Sequence, residues 1–212
     1  MRETDPPRVD RMGLMQRLVL CASALRLFPH LLLWRMSGNR PVVSHEIGRW
    51  HRIIYDTSPA PGRALVVAFV VLMTRHPEFR NLFYHRTGRA GQIVSMLCRP
   101  MPTLYINTRD IGPGLYIQHG FSTIISAARI GRDCWINQQV TIGYSNRHDS
   151  PVLGDNVSIH AGAKVIGGLR IGDNVKVGAN AVVVKDVPGN VTVVGIPARI
   201  VRRDGRRVDE AL

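Results

Sequence analysis

Cysteine, aromatic and acidic side chains are all scarce in this sequence. Three Cys among 212 residues, at 21, 98 and 134, form no CxxC pair. That excludes a disulfide scaffold and a cysteine-rich zinc finger, and it fits a reduced, intracellular compartment. Aromatics are only 6%, unusual for a sandwich or a nucleobase-stacking module. Fifteen acids face 28 Lys+Arg, for a net charge of +13. The single dense basic cluster is Arg199, Arg202, Arg203, Arg206 and Arg207. No helix-turn-helix signal or zinc-ligand pattern accompanies it, so a nucleic-acid interface is not expected. A solvated basic surface is the plain reading, with attraction of an anionic ligand or a membrane surface as the functional ones.

Long apolar runs are missing too. Residues 14–36 are interrupted by Arg17, Arg26 and Arg35, and residues 64–73 make a run of only ten. A spanning helix needs roughly 20 apolar residues, so neither run qualifies alone. Residues 18–25 could form a signal-peptide core with Ala22-Ser23-Ala24 as cleavage site, but Glu3, Asp5, Asp10 and Arg26 oppose it. The expectation is a cytoplasmic protein. Its first apolar stretch is expected to be buried or subunit-contacting, with peripheral membrane contact as the disfavoured alternative.

What is present divides into two periods. Hydrophobic residues are 45% and charged residues 20%, ordinary for a folded chain. Leu14, Leu18, Cys21, Leu25 and Phe28 recur at helical spacing until Pro29. Ser44, before Glu46-Ile47-Gly48-Arg49-Trp50, reads as an N-cap. Pro59, Pro61 and Gly62 mark a turn, and two more helices are predicted over 64–73 and 77–86.

From Ile111 the period becomes six. Ile, Leu or Val opens a hexad at 111, 117, 130, 136, 142, 153, 159, 165, 171, 177 and 183. A second small or apolar residue falls four places later at Leu115, Cys134, Val140, Val157, Ala163, Leu169, Val175, Ala181 and Val187. A seven-residue unit at 123–129 and a ten-residue insertion near 144–153 break the count. Such a period is the signature of a hexapeptide β-helix. Three hexads make one triangular coil, with aliphatic residues inside and coils about 4.8 Å apart. Asn156, Asn174 and Asn180 suit tight corners of positive φ. The expected architecture is α+β: a helical N-terminal region over 1–105, a parallel β-helix over 106–200, and an exposed, mobile basic tail over 201–212.

Six segments carry a resemblance: IGPGLYIQHG, VTIG, a loop with NRH, GDNVSIHAGAKVIGG, VGANAVVVKDVP and VVGIPARIV. Together they resemble the serine O-acetyltransferase group of hexapeptide-repeat acyltransferases, strongly over 111–201. Over 44–110 the likeness is weak, through SHEIGR and PEFRNLFYHR. The resemblance implies a left-handed β-helix, acetyl-CoA as co-substrate, no metal, and a role in cysteine biosynthesis. It also implies a homotrimer or dimer of trimers.

By the same resemblance His119 is the general base that takes the acceptor hydroxyl proton, a role suited to an imidazole of ordinary pKa near ~6.5. Arg147 and His148 would bind the acceptor carboxylate, and Glu46 its amino group. Acetyl-CoA would contact Tyr144, Ala161, Lys176 and Ala179, with Lys176 facing phosphate. Three departures accompany the likeness. Gln118 replaces an acid before the histidine, Leu104 replaces the acid that orients it, and the loop before Arg147 is short. Asn107 or a residue of a neighbouring subunit is the expected substitute for the missing acid. A sugar O- or N-acetyltransferase of polysaccharide or glycolipid biosynthesis is the rival reading. A zinc hydratase using His119, His148 and His160, and a non-catalytic assembly protein, are weaker ones.

Overall fold

Proline stands in the first turn of three of the described helices, where its fixed φ and missing N–H are suited. The computed structural model describes residues 22–146 and 149–212. The chain divides into two units, Met1–Pro100 and Met101–Leu212.

In the first unit, residues 22–26 are helical. They are followed by α1 (Phe28–Met36), α2 (Arg40–Tyr55), α3 (Arg63–Arg75) and α4 (Pro77–Val94). Pro29, Pro41 and Pro77 lie in the first turns of α1, α2 and α4. Pro29 coincides with a one-residue turn at Leu27. Ser44 is not an N-cap. It sits one turn inside α2 and donates to Arg40 O at 2.7 Å, because Pro41 starts the helix earlier. The apolar run over 64–73 is helical, as its spacing predicts, and α4 continues past residue 86 with a bend at Gly88 (φ 60°).

The few aromatics concentrate in this unit. Trp34 stacks on Phe69 at 5.1 Å, Phe69 meets Phe83 edge-on at 5.3 Å, and Trp50 meets Phe79 edge-on at 5.2 Å. Each such pair adds about 1 kcal/mol beyond its buried area. Leu27, His30 and Trp34 face this core, while Leu25 and Phe28 are exposed. The predicted stripe through Leu25 and Phe28 therefore does not bury inside the unit. Its members Leu14, Leu18 and Cys21 lie outside the described residues.

The second unit is a parallel β-helix of about five turns. Its three sheets have five, four and seven strands. Every residue predicted to open a hexad is buried at 6% exposure or less. In-register pairs such as Ile117↔Ile136 and Val177↔Val193 stack them up the prism. Gly112, Gly131, Gly154, Gly172 and Gly189 form a column at one corner, where successive coils touch through backbone. A Cβ on Gly112 would lie 2.7 Å from Gly131 C, and one on Gly172 2.5 Å from Gly189 N. Asn156, Asn174 and Asn180 take positive φ, as expected, and so do Asp133, Gln139 and Asn190. Short polar side chains tolerate that region best.

The irregular units differ from the predicted ones. Ile125, not Thr123, aligns with Ile142. The run from Ile117 to Ile125 is thus eight residues, against six from Ile136 to Ile142. The interruption after Gly143 ends at Val152, shorter than predicted. The C-terminus is not a mobile tail. Arg199–Arg203 and Arg206–Ala211 form an antiparallel hairpin joined to the third sheet. Asp204 and Gly205 both have positive φ (48° and 78°), the turn that matches strand twist. Pairs Arg199–Asp209 (2.8 Å) and Arg203–Glu210 brace it.

Candidate active site

His119 owes its position to the eight-residue unit. Gln118 aligns with Asn137, since their N–H groups donate to Ile136 O and Ile159 O respectively. Phe121 aligns with Gln138, through Gln139 N–H donating to Phe121 O at 3.0 Å. No residue separates Asn137 from Gln138, whereas His119 and Gly120 separate Gln118 from Phe121. These two extra residues bulge from the corner between the third and first sheets. A tight turn closes the bulge, with Phe121 N–H donating to His119 O at 2.6 Å. His119 itself has φ 63°, a conformation histidine visits more readily than most residues. Its imidazole is exposed.

The corner continues as a column above the bulge. Gly162 N–H donates to Gln138 O (3.1 Å) and Asn180 N–H to Ala161 O (2.9 Å), so Gln138, Ala161 and Ala179 follow Phe121 in successive coils. Gly195 comes next, two residues beyond Val193 as Ala179 is beyond Val177. Four coil steps span roughly 19 Å, comparable to an extended phosphopantetheine arm. The three upper members carry no side chain beyond a methyl group. At the far end lies an open cleft of about 410 Å³ lined by Val182, Val184, Lys185, Ile196, Pro197 and Arg199 among others. The resemblance pointed to Ala161 and Ala179 in this column but not to the cleft, although GIPAR lies within the VVGIPARIV segment.

Lys176 is exposed on the outer surface of the third sheet. Its row runs Tyr116, Trp135, Ser158, Lys176, Thr192, Arg202, Arg207. The hairpin thus brings Arg202 and Arg207 into line with Lys176, and both are exposed. Their sequence signal was the basic cluster itself, but a tail reading could not give them a face. Tyr144 is 60% exposed at the end of a first-sheet strand.

Arg147 and His148 lie outside the described residues. The loop ends on either side of them are tied together by Asp149. Its carboxylate accepts from Ser145 N (2.9 Å) and Oγ (2.6 Å), and from Asn146 N (3.0 Å) and Nδ2 (2.8 Å). The Ser145 hydroxyl, and then the Asn146 amide, hold its pKa below the usual carboxylate value. Gly168 packs against Asp149, where a Cβ would lie 2.8 Å from the Asp149 Cβ.

Glu46 lies in the helical unit, 1% exposed, with Arg86 Nη2 donating to Oε1 at 2.6 Å and Nε at 3.1 Å. Leu104 is buried. Asn107 donates to Ser126 Oγ at 2.9 Å. Among the described residues no side chain hydrogen-bonds the His119 imidazole. Asn137 Oδ1 and Gln138 Oε1, in the next coil, are buried without a partner among the described residues. That is costly unless another molecule supplies donors. No described group of three or more His, Cys, Asp or Glu is arranged to hold a metal ion.

A model of the bacterial transferase hexapeptide family (six repeats) matches residues 150–185. The serine acetyltransferase of Synechococcus elongatus is 37% identical over 172 residues, covering 74% of this chain and 68% of its own. That of Staphylococcus epidermidis is 35% identical over 166 residues, covering 74% and 78%. Among solved structures, Neisseria gonorrhoeae serine acetyltransferase in complex with serine superposes with a TM-score of 0.56. It is 29% identical and covers 74% of this chain and 68% of that one. The Brucella abortus serine acetyltransferase gives 0.58 at 25% identity, covering 90% and 77%. With a shared β-helix, and with identity sustained over most of both chains, this protein belongs to the serine acetyltransferase family.

Proposed function

We propose that the chain transfers an acetyl group from acetyl-CoA to the hydroxyl of L-serine, with His119 as general base. One observation carries the reading: an exposed histidine, set in a two-residue bulge, lies at the foot of a corner column whose upper members, Ala161, Ala179 and Gly195, are small and which ends in an open cleft. The imidazole takes the serine hydroxyl proton as the oxygen attacks the thioester carbonyl. The tetrahedral intermediate collapses to O-acetylserine, and the imidazolium returns the proton to the departing CoA sulfur. No acyl-enzyme is required, because holding both substrates together supplies much of the rate.

The small side chains of Ala161, Ala179 and Gly195 let pantetheine lie against the backbone, and Tyr144 borders the acetyl end. Lys176, with Arg202 and Arg207 in its row, meets the CoA phosphates, where guanidinium groups pair in bidentate fashion. Arg147 and His148 receive the serine carboxylate. Glu46 is assigned to the amino group by resemblance alone. Arg86 already occupies its carboxylate, so a second cation would share it. The Asn137 and Gln138 oxygens, without a partner among the described residues, support completion of the site by substrate or by a neighbouring subunit. They fit a homotrimer in the cytoplasm, where acetyl-CoA is supplied.

The test is thiol release from acetyl-CoA with L-serine as acceptor, in wild type and His119→Ala. Loss of a general base lowers kcat by about 10² to 10⁴, with an unchanged melting temperature. Serine-independent kinetics in the wild type, or full activity in the variant, would overturn the proposal.

A further inference from the structure

The helical stretch from residue 22 to Met36 buries one face and carries an apolar stripe on the opposite one, which the described residues leave exposed. The i→i−4 ladder carries through the Leu27 turn, with Leu27 N–H donating to Ser23 O and Leu31 N–H to Leu27 O, both at 2.9 Å. Ser23, Leu27, His30 and Trp34 are therefore on one face, and all are buried. Leu25, Phe28, Leu32 and Met36 recur on the other at spacings of three and four, with exposures of 81%, 62%, 49% and 75%. By helical geometry Arg26 and Arg35 stand on either side of that exposed stripe, and both are exposed.

The occupant of this face is constrained by charge. Residues 11–45 contain Arg11, Arg17, Arg26, Arg35 and Arg40 and not one Asp or Glu. A second copy of the stripe would bring cations against cations with no acid to pair them. A bilayer surface rich in anionic phospholipid offers acyl chains for the stripe and phosphates for its arginine flanks, which is how interfacial helices bind. No described helix is long and apolar enough to cross a membrane, so contact is with the surface.

We propose that this face seats the enzyme on an anionic phospholipid surface. The site of acetyl transfer is separate in sequence, so binding and catalysis can be measured independently.

The experiment is co-sedimentation of the full chain with vesicles of phosphatidylcholine alone and of phosphatidylcholine with phosphatidylglycerol. Sedimentation velocity is run alongside. The expected result is binding to the anionic vesicles at least about tenfold above the neutral ones, weakening with salt. Leu25→Glu/Phe28→Glu should remove that binding while acetyl transfer and assembly mass stay unchanged, and Arg26→Ser/Arg35→Ser should weaken it severalfold. Two results would overturn the proposal. One is equal or no binding of the wild type to the two vesicle types. The other is a drop in assembly mass in Leu25→Glu/Phe28→Glu, which would assign the face to a second copy.

Discussion

The two units hold together by different physics. In the β-helix each coil repeats the one below. Aliphatic residues stack in register and the backbone closes the corners. Stability there is spread over many equivalent contacts, and the weak points are steric. The helical unit repeats nothing. Its core is a particular set of rings around polar groups: the Glu46–Arg86 pair, the half-buried His76, and the buried His30, whose ring shares a hydrogen bond with the Tyr84 hydroxyl at 3.0 Å. Its weak points are electrostatic. A repeat thus tolerates loss of one aliphatic contact better than one misplaced atom in a glycine column. The irregular core tolerates reshaping better than a stranded charge.

The largest expected effect comes from Arg86→Ala. It takes the Arg86 guanidinium away from the buried Glu46 carboxylate and should cost about 3–5 kcal/mol, measured by urea unfolding. Glu46→Gln/Arg86→Met should recover most of that loss, and a failure to recover would mean that the pair does more than neutralise itself.

Acid should separate the units next. Burial, and secondarily the Arg26 cation, lowers the His30 pKa to about 4, and burial with Arg75 lowers His76 to about 4. Both folded values lie below the unfolded value, so the neutral rings favour the fold. Their contribution is present above about pH 6.5 and is lost as pH falls toward about 4, up to roughly 3 kcal/mol for His30. Hydrogen exchange across that window should loosen residues 28–94 before the β-helix. Simultaneous loosening would remove the distinction.

Steric sensitivity is the β-helix counterpart. A Cβ on Gly131 would lie 2.5 Å from Gly154 C, so Gly131→Val should force two coils apart at about 2–3 kcal/mol. Gly143→Ala meets nothing nearer than Ile166 Cδ1 at 3.9 Å and should change the melting temperature little.

The smallest effect concerns the hairpin. Arg202→Ser/Arg207→Ser should raise the KM for acetyl-CoA about three- to tenfold with kcat unchanged, about 1 kcal/mol of phosphate contact. An equal loss against a CoA thioester lacking the 3′-phosphate would place these cations on the pyrophosphate instead.

The sequence by itself determined the prism, because a six-residue period puts one side chain in three equivalent interiors and leaves few alternatives. It also pointed to the helical character of the first unit, and the family resemblance of its motifs supplied the candidates His119, Ala161, Lys176 and Ala179. It misread Ser44 because a serine before an acidic residue looks like a cap whatever lies upstream, and Pro41 had already opened the helix. It placed the odd unit at 123–129 because Thr123 falls six residues after Ile117, where the count expects a coil to open. Only pairing with Ile142 shows that the additional residues are His119 and Gly120. The basic tail looked unattached because Asp204-Gly205 has meaning only once two strands meet. The tertiary structure alone decided which arginines line up with Lys176, that Glu46 is already partnered, and that Leu25 and Phe28 face outward. Each of these depends on contacts between residues far apart in the chain, and local spacing carries no record of them.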